Sequence, residues 1–290
     1  MTLYDNAFSP FARKVRMVLE HKRLVFEAID GLTPSGHAKL AAVNPRVEVP
    51  VLVDGDLIVV NSSHIVAYLE HRYPEHPVYP ADPVARVAAL AWERIADTLL
   101  DAITHDVSNG GFGFPPGTRP AGLLEAARDD LASIFADLER TLADRDFLCG
   151  TLSIAELALF PQLTAVKLLD IGYDGATHPR LLACYKRLRQ LDVCRADLER
   201  TQAFLRDIGA NLQRPARIVW RAIASSGCSR AGSMGGSSRR SRRDASRGRG
   251  VIKGHTCCGR RAMRRQRSSS LYSAFPLPMR RARPTVARQH

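Results

Sequence analysis

The stretch "VPVLVDGDLIVV", residues 49–60, sets two apolar, β-branched runs on either side of Asp54-Gly55. Asp-Gly suits the positive φ angles of a tight two-residue turn, so the segment reads as an antiparallel hairpin. Its partners lie upstream. "TLY" (2–4) is a short strand that ends at the turn residues Asp5 and Asn6, after which Val15, Val18, Leu19 and Lys22 recur at helical spacing. "LVFEAID" (24–30) then alternates as a second strand. Strand, helix and strand within about 30 residues make a βαβ unit with parallel strands and a right-handed crossover. Downstream, "NSSHIVAYLEHRYP" (61–74) places polar capping residues before Ile65, Tyr68, Leu69 and Tyr73 and stops at Pro74, which predicts a helix after the hairpin. Residues 1–77 therefore read as an α/β domain in the order βαβ, then ββα.

From Pro83 the periodicity changes to helical, and residues 83–212 read as a helical bundle. Val87, Leu90, Ala91, Ile95, Leu99 and Ile103 mark one core-facing stripe, and Leu124, Leu131, Ile134, Phe135, Leu138 and Leu142 mark another. Between them "SNGGFGFPPGTRP" (108–120) carries four glycines and three prolines and predicts a loop that borders a pocket. "LSIAELALFPQLTAV" (152–166) opens with Ser153 and Glu156 at capping-box spacing. "HPRLLACYKRLRQL" (178–191) and "ADLERTQAFLRDI" (196–208) complete the bundle, with Gly209 as a stop.

The formal charge of +13 misleads as to partners. Residues 225–290 hold 17 of the 42 Lys and Arg and one of the 29 Asp and Glu, Asp244, which leaves 25 basic against 28 acidic side chains in residues 1–224. A near-neutral body has no electrostatic case for binding nucleic acid. The tail, with "SSRRSRRDASRGRG" and "RRAMRRQRSSSLYS", has the composition of a disordered segment. It reads either as a polyanion-binding arm for RNA or DNA or as an unrelated reading frame appended to a complete body.

Cys149, Cys184 and Cys194 are too few and too scattered for a disulfide framework, and Cys228, Cys257 and Cys258 lie in the tail without metal-ligand spacing. The opening "MTLYDNAF" lacks the basic and then apolar stretch of a signal peptide, and no apolar run reaches 18 residues. The expectation is a cytoplasmic protein with no metal and no membrane contact. His64 and His71, seven apart on one helix, read as surface residues, and Arg13, Lys14 and Arg16 as a solvated face. Ser9, ahead of Pro10, reads as a helix cap.

Four stretches taken in order resemble the glutathione S-transferases: "FSPFARKVRM" (8–17), "NPRVEVPVLVDG" (44–55), "NSSHIVAYLEHRYP" (61–74) and "LSIAEL" (152–157). Together they run from residue 8 to residue 157 of the 290. The resemblance implies a thioredoxin-like domain followed by an all-helical one, with glutathione as co-substrate. It implies that the Ser9 hydroxyl donates a hydrogen bond to the glutathione sulfur. It also implies a cis bond before Pro50, with the Val49 main chain pairing to the tripeptide, and the γ-glutamyl carboxylate held at Asn61 and Ser62. His37 and Lys39 would meet the glycine end, and Phe11, Trp92, Phe112 and Phe114 would line the pocket for a small apolar electrophile. Conjugation, ether cleavage and isomerisation all fit, as does a homodimer. The family pattern carries Gly, then Lys or Gln, where this chain has Val47 and Glu48, and an acid where it has Asn61. Those departures favour a second reading, a non-catalytic module that contacts protein partners. With "SPFA" at the helix start, thiol-disulfide exchange is excluded, since that chemistry needs cysteines.

Overall fold

The computed structural model describes residues 1–112 and 120–211, all within one compact unit; the tail at 225–290 lies outside the described residues. Strands β1 (Thr2–Asp5), β2 (Glu27–Asp30), β3 (Val51–Asp54) and β4 (Leu57–Val60) form one sheet in the order β2-β1-β3-β4. β1 and β2 are parallel, with Leu3 opposite Ala28, and the β3–β4 hairpin turns at Gly55, whose φ of 61° suits glycine. Helices α1 (Pro10–His21), α2 (Pro34–Val43) and α3 (Ser62–Arg72) complete the first part. Leu3, Val15, Val18, Leu52, Ile65 and Leu69 are fully buried between the sheet and α1 and α3. Each such side chain contributes about 1.5–3 kcal/mol of apolar burial.

Helix α2 is missing from the sequence reading, although Thr33-Pro34 and Pro45 bracket it. Thr33 caps it by accepting from the Gly36 N–H at 3.1 Å, and proline occupies its first turn. Its apolar periodicity is weak because only Gly36 and Leu40 are buried. Gly36 lies so close to strand β2 that a Cβ there would meet the Asp30 carbonyl oxygen at 1.9 Å, so any side chain forces the helix outward.

The second part is helical: α4 (Pro83–Ile95), a π turn (Ala96–Leu100), α5 (Asp101–Phe112), α6 (Leu123–Leu142), α7 (Ile154–Leu168), α8 (Pro179–Leu188) and α9 (Asp192–Asn211). The second stripe behaves as expected, with Leu131, Ile134, Phe135, Leu138 and Leu142 buried on α6. The first does not. Ala89, Trp92, Ala96, Leu100 and Val107 form the core face, while Val84, Val87, Leu90 and Leu99 are exposed. Small residues at 89 and 96 let α4 approach α7 closely, so bulk and burial part company on this helix. Two boundaries move as well. Helix α5 continues through the first glycines to Phe112, and α9 runs past Gly209 to Asn211. The capping box of α7 is present: Glu156 Oε2 accepts from the Ser153 N–H at 3.0 Å and its hydroxyl at 2.8 Å.

Helix α1 joins the two parts, and here the expectation of a solvated basic face is overturned. Arg13, Lys14 and Arg16 are all buried. Arg13 donates from Nε and Nη2 to Asp197 of α9 at 3.1 and 2.7 Å. Lys14 Nζ donates to Glu93 at 2.8 Å and to Asp97, and Arg16 Nε donates to Asp5 at 2.6 Å. One helix three to four turns long is thus fastened by charge to β1, α4, the π turn and α9. His64 and His71 are exposed on α3, as expected.

Candidate functional site

The register of the sheet brings the sequence motifs to one end of it. Tyr4 of β1 lies opposite Val51 of β3, and Val51 lies opposite Val60 of β4. The chain therefore leaves β1 toward Ser9, enters β3 from Pro50 and leaves β4 toward Asn61 and Ser62, all at the same sheet end. Sheet order also spreads them: Asn61 and Ser62 stand at the β4 edge, Val49 and Pro50 beside β3, and Ser9 beyond β1.

Ser9 has extended backbone angles and caps α1, its Oγ accepting from the Ala12 N–H at 3.4 Å. That bond uses a lone pair. No acceptor among the described residues takes the Ser9 O–H proton, and the residue is half-buried at the positive end of a helix. Cap and donor are therefore compatible roles for one hydroxyl.

The Val49–Pro50 peptide is cis, Pro50 is buried and Val49 half-buried. Among the described residues no hydrogen bond engages the Val49 N–H or C=O. Ahead of it, Glu48 is not a lone carboxylate, since Arg46 Nη2 lies 3.0 Å from its Oε2. Val47 adopts a φ of 55°, a left-handed conformation that a β-branched residue takes only under strain. Val47→Gly is expected to raise stability by about 1 kcal/mol, the strain relieved less the extra freedom of unfolded glycine. Thermal unfolding should show a melting point higher by roughly 2–4 °C; a lower one would mean the loop is not strained.

Asn61 also has positive φ, 74°, which asparagine tolerates better than most, and its Oδ1 accepts from the Ser63 N–H at 3.1 Å. Ser62 is buried at the first position of α3. Next to it Ser63 Oγ donates to Glu93 Oε1 at 2.9 Å, which ties this helix start to the buried Lys14 cluster. Burial pushes the Asp97 carboxyl upward, with Lys14 pulling the other way, and the same contest at Asp5, against Arg16, also ends upward.

His37 and Lys39 are exposed on α2, and Phe11 is half-buried on α1. Trp92 is only 2% exposed and belongs to the core, so its expected place in an electrophile pocket is corrected: it packs inside the helical part. Phe112 ends α5, and Phe114 lies outside the described residues. The three cysteines of the body are free, and burial raises all three thiols, Cys184 to about 12, so none competes as a neutral-pH thiolate. Among the described residues no group of three His, Cys, Asp or Glu is placed to hold a metal ion, and no helix is long and apolar enough to cross a membrane.

A four-stranded mixed sheet with a cis-proline at its working end, followed by a helical part that grips the first helix, defines a thioredoxin-like two-part fold. Residues 3–77 match the glutathione S-transferase N-terminal domain and residues 121–190 the glutathione S-transferase C-terminal domain. Glutathione S-transferase 1 of Dianthus caryophyllus is 30% identical over 191 residues, 62% of this chain and 83% of that protein. A stringent starvation protein A homolog of Haemophilus ducreyi is 27% identical over 197 residues, 66% of this chain and 86% of the relative. A solved glutathione S-transferase of Methylobacillus flagellatus with glutathione bound aligns with a TM-score of 0.59 at 26% identity, covering 68% of this chain and 98% of that one. The chain belongs to the glutathione S-transferase family.

Proposed function

We propose that this protein is a glutathione transferase in which the Ser9 hydroxyl stabilises the thiolate of bound glutathione for attack on a small apolar electrophile. The observation that carries it is the convergence, at one sheet end, of a half-buried hydroxyl with an undirected proton, an unbonded main-chain amide at Val49 and a serine at a helix start. The γ-glutamyl carboxylate fits the α3 N-terminus at Ser62, where main-chain N–H groups and the helix dipole favour an anion. The cysteinyl main chain fits Val49 as a short added strand. The sulfur then falls toward Ser9. Its proton leaves to solvent, its lone pair forms the new carbon–sulfur bond, and an aryl halide would release halide with the old bonding pair.

Glu48 does not forbid this, because Arg46 offsets its charge within the same loop. The Lys39 ammonium and the His37 ring, both exposed on α2, would meet the glycine carboxylate. The exposed apolar residues Val84, Val87 and Leu90 of α4, with Leu57 and Ile58 of β4, support a homodimer. Sedimentation at the monomer mass would remove that element. A reducing, cytoplasmic setting agrees with three unpaired cysteines.

Retention on immobilised glutathione together with turnover of a generic aryl halide tests the reading. Both are expected. Retention without turnover would favour a binding module on this fold, a second reading suggested by the likeness to the starvation-protein homolog. Absence of both would end the glutathione reading.

A further inference from the structure

We propose that helix α9 is the positioning element of the Ser9 hydroxyl, acting from about 190 residues away in sequence; this rests on the role given to Ser9 above. Three residues of α9, all on the face turned toward the start of α1, touch the chain on both sides of Ser9. Thr201 Oγ1 lies 3.3 Å from the Ala7 carbonyl oxygen and 2.9 Å from the Asp197 carbonyl oxygen, its single proton serving both. Phe204 stacks on Phe8 with ring centroids 6.2 Å apart and planes 28° from parallel. Asp197, wholly enclosed, holds the Arg13 guanidinium through both carboxylate oxygens, and the main-chain N–H of the same Arg13 makes the first helical bond of α1 to the Ser9 carbonyl at 2.9 Å.

The loop's own bonds leave this support necessary. Within residues 5–9 the Asn6 side chain accepts from the Phe8 N–H at 2.9 Å and its carbonyl from the Ser9 N–H at 3.2 Å, which fixes the turn about Asn6. Asn6 Nδ2 ties this turn to Asp30 Oδ1 at 3.2 Å, but among the described residues no hydrogen bond from the first part other than those of this turn and the α1 cap reaches Ala7 or Phe8. A hydrogen bond to sulfur depends steeply on distance and angle, so a loop free to shift by a fraction of an ångström loses thiolate stabilisation before it loses affinity. The tripeptide's cysteinyl main chain and its γ-glutamyl end are held elsewhere, at Val49 and Ser62, so α9 should affect ionisation and not binding.

Thr201→Val, close to isosteric, and Phe204→Leu test this through the pH dependence of the bound glutathione thiol. Each is expected to raise its apparent pKa by about half to one unit, up to about threefold less thiolate at neutral pH, with the glutathione Kd within about twofold. Thr201→Ser should restore the wild-type value. Arg195→Ala, on the exposed face of α9, should leave it unchanged. Wild-type thiol pKa in both Thr201→Val and Phe204→Leu, with Ser9→Ala shifted, would overturn the role of α9 alone. An unshifted Ser9→Ala would overturn the role of Ser9 and this proposal with it. A Kd weakened in step with stability, at constant pKa, would also overturn it, as the mark of a purely structural helix.

Discussion

Lys14→Ala is expected to cost about 3–5 kcal/mol of stability at neutral pH, a loss on the order of 10 °C in melting temperature. The Lys14 side chain is 1% exposed and its ammonium meets Glu93, Asp97 and Ser63 Oγ, the last at 3.5 Å. Alanine removes the cation and leaves two buried carboxylates side by side. Burial already lifts the folded Asp97 above its ordinary 3.8 despite Lys14. A group that holds its proton more tightly when folded makes stability fall as pH rises from the unfolded value through the folded one. Without Lys14 that rise is larger, so the mutant's deficit should be greatest near pH 8 and shrink toward pH 4. Urea unfolding at the two pH values would check it. Equal deficits at both would show that packing, not charge, is what the lysine supplies.

Ser9→Ala is expected to lower glutathione conjugation at neutral pH by roughly 10- to 100-fold, while glutathione affinity changes by no more than a few-fold. A free thiol has a pKa of about 8.5, so only a few per cent is ionised at neutral pH. Lowering it by about 2 units, or ~2.7 kcal/mol, makes most of the bound thiol reactive, a gain of about 20- to 30-fold. Anything beyond that comes from holding the electrophile in line. Alanine also removes the α1 cap, at about 1 kcal/mol, whereas glycine at such a position costs only a few tenths. Ser9→Gly should therefore lose the same activity with nearly full stability. If Ser9→Gly kept its rate and Ser9→Ala lost it, the hydroxyl would be a cap and nothing more.

The strands of the first part were legible because each carries a local signal: Asp54-Gly55 for the hairpin, alternation for β2, polar caps before Ile65. Ser9, Pro50 and Ser62 stand at element boundaries, where turn and capping residues are distinctive, but local marks alone read Ser9 as a cap, and the roles at one site came only from the family resemblance. Helix α2 was missed because only two of its residues are buried, which leaves little periodicity to read. The basic run of α1 was misjudged because its partners, Asp197 and Glu93, lie 184 and 79 residues away, and no local pattern distinguishes a buried arginine from a solvated one. Helix α4 was misjudged in the opposite sense. Val84, Val87 and Leu90 face outward while Ala89 and Trp92 face the core, so the aliphatic stripe pointed to the wrong face. The support that α9 gives the Ser9 loop had no sequence signal at all, being a tertiary contact between a threonine and a carbonyl.

The most direct measurement is the ultraviolet absorbance of the thiolate of bound glutathione, followed against pH in the wild type and in Ser9→Gly. Stabilisation by the Ser9 hydroxyl predicts an apparent pKa near 6.5 in the wild type, about 2 units below the free thiol, returning to about 8 or above in the variant. The same pKa in both proteins, or an undisplaced value near 8.5 in the wild type, would contradict it.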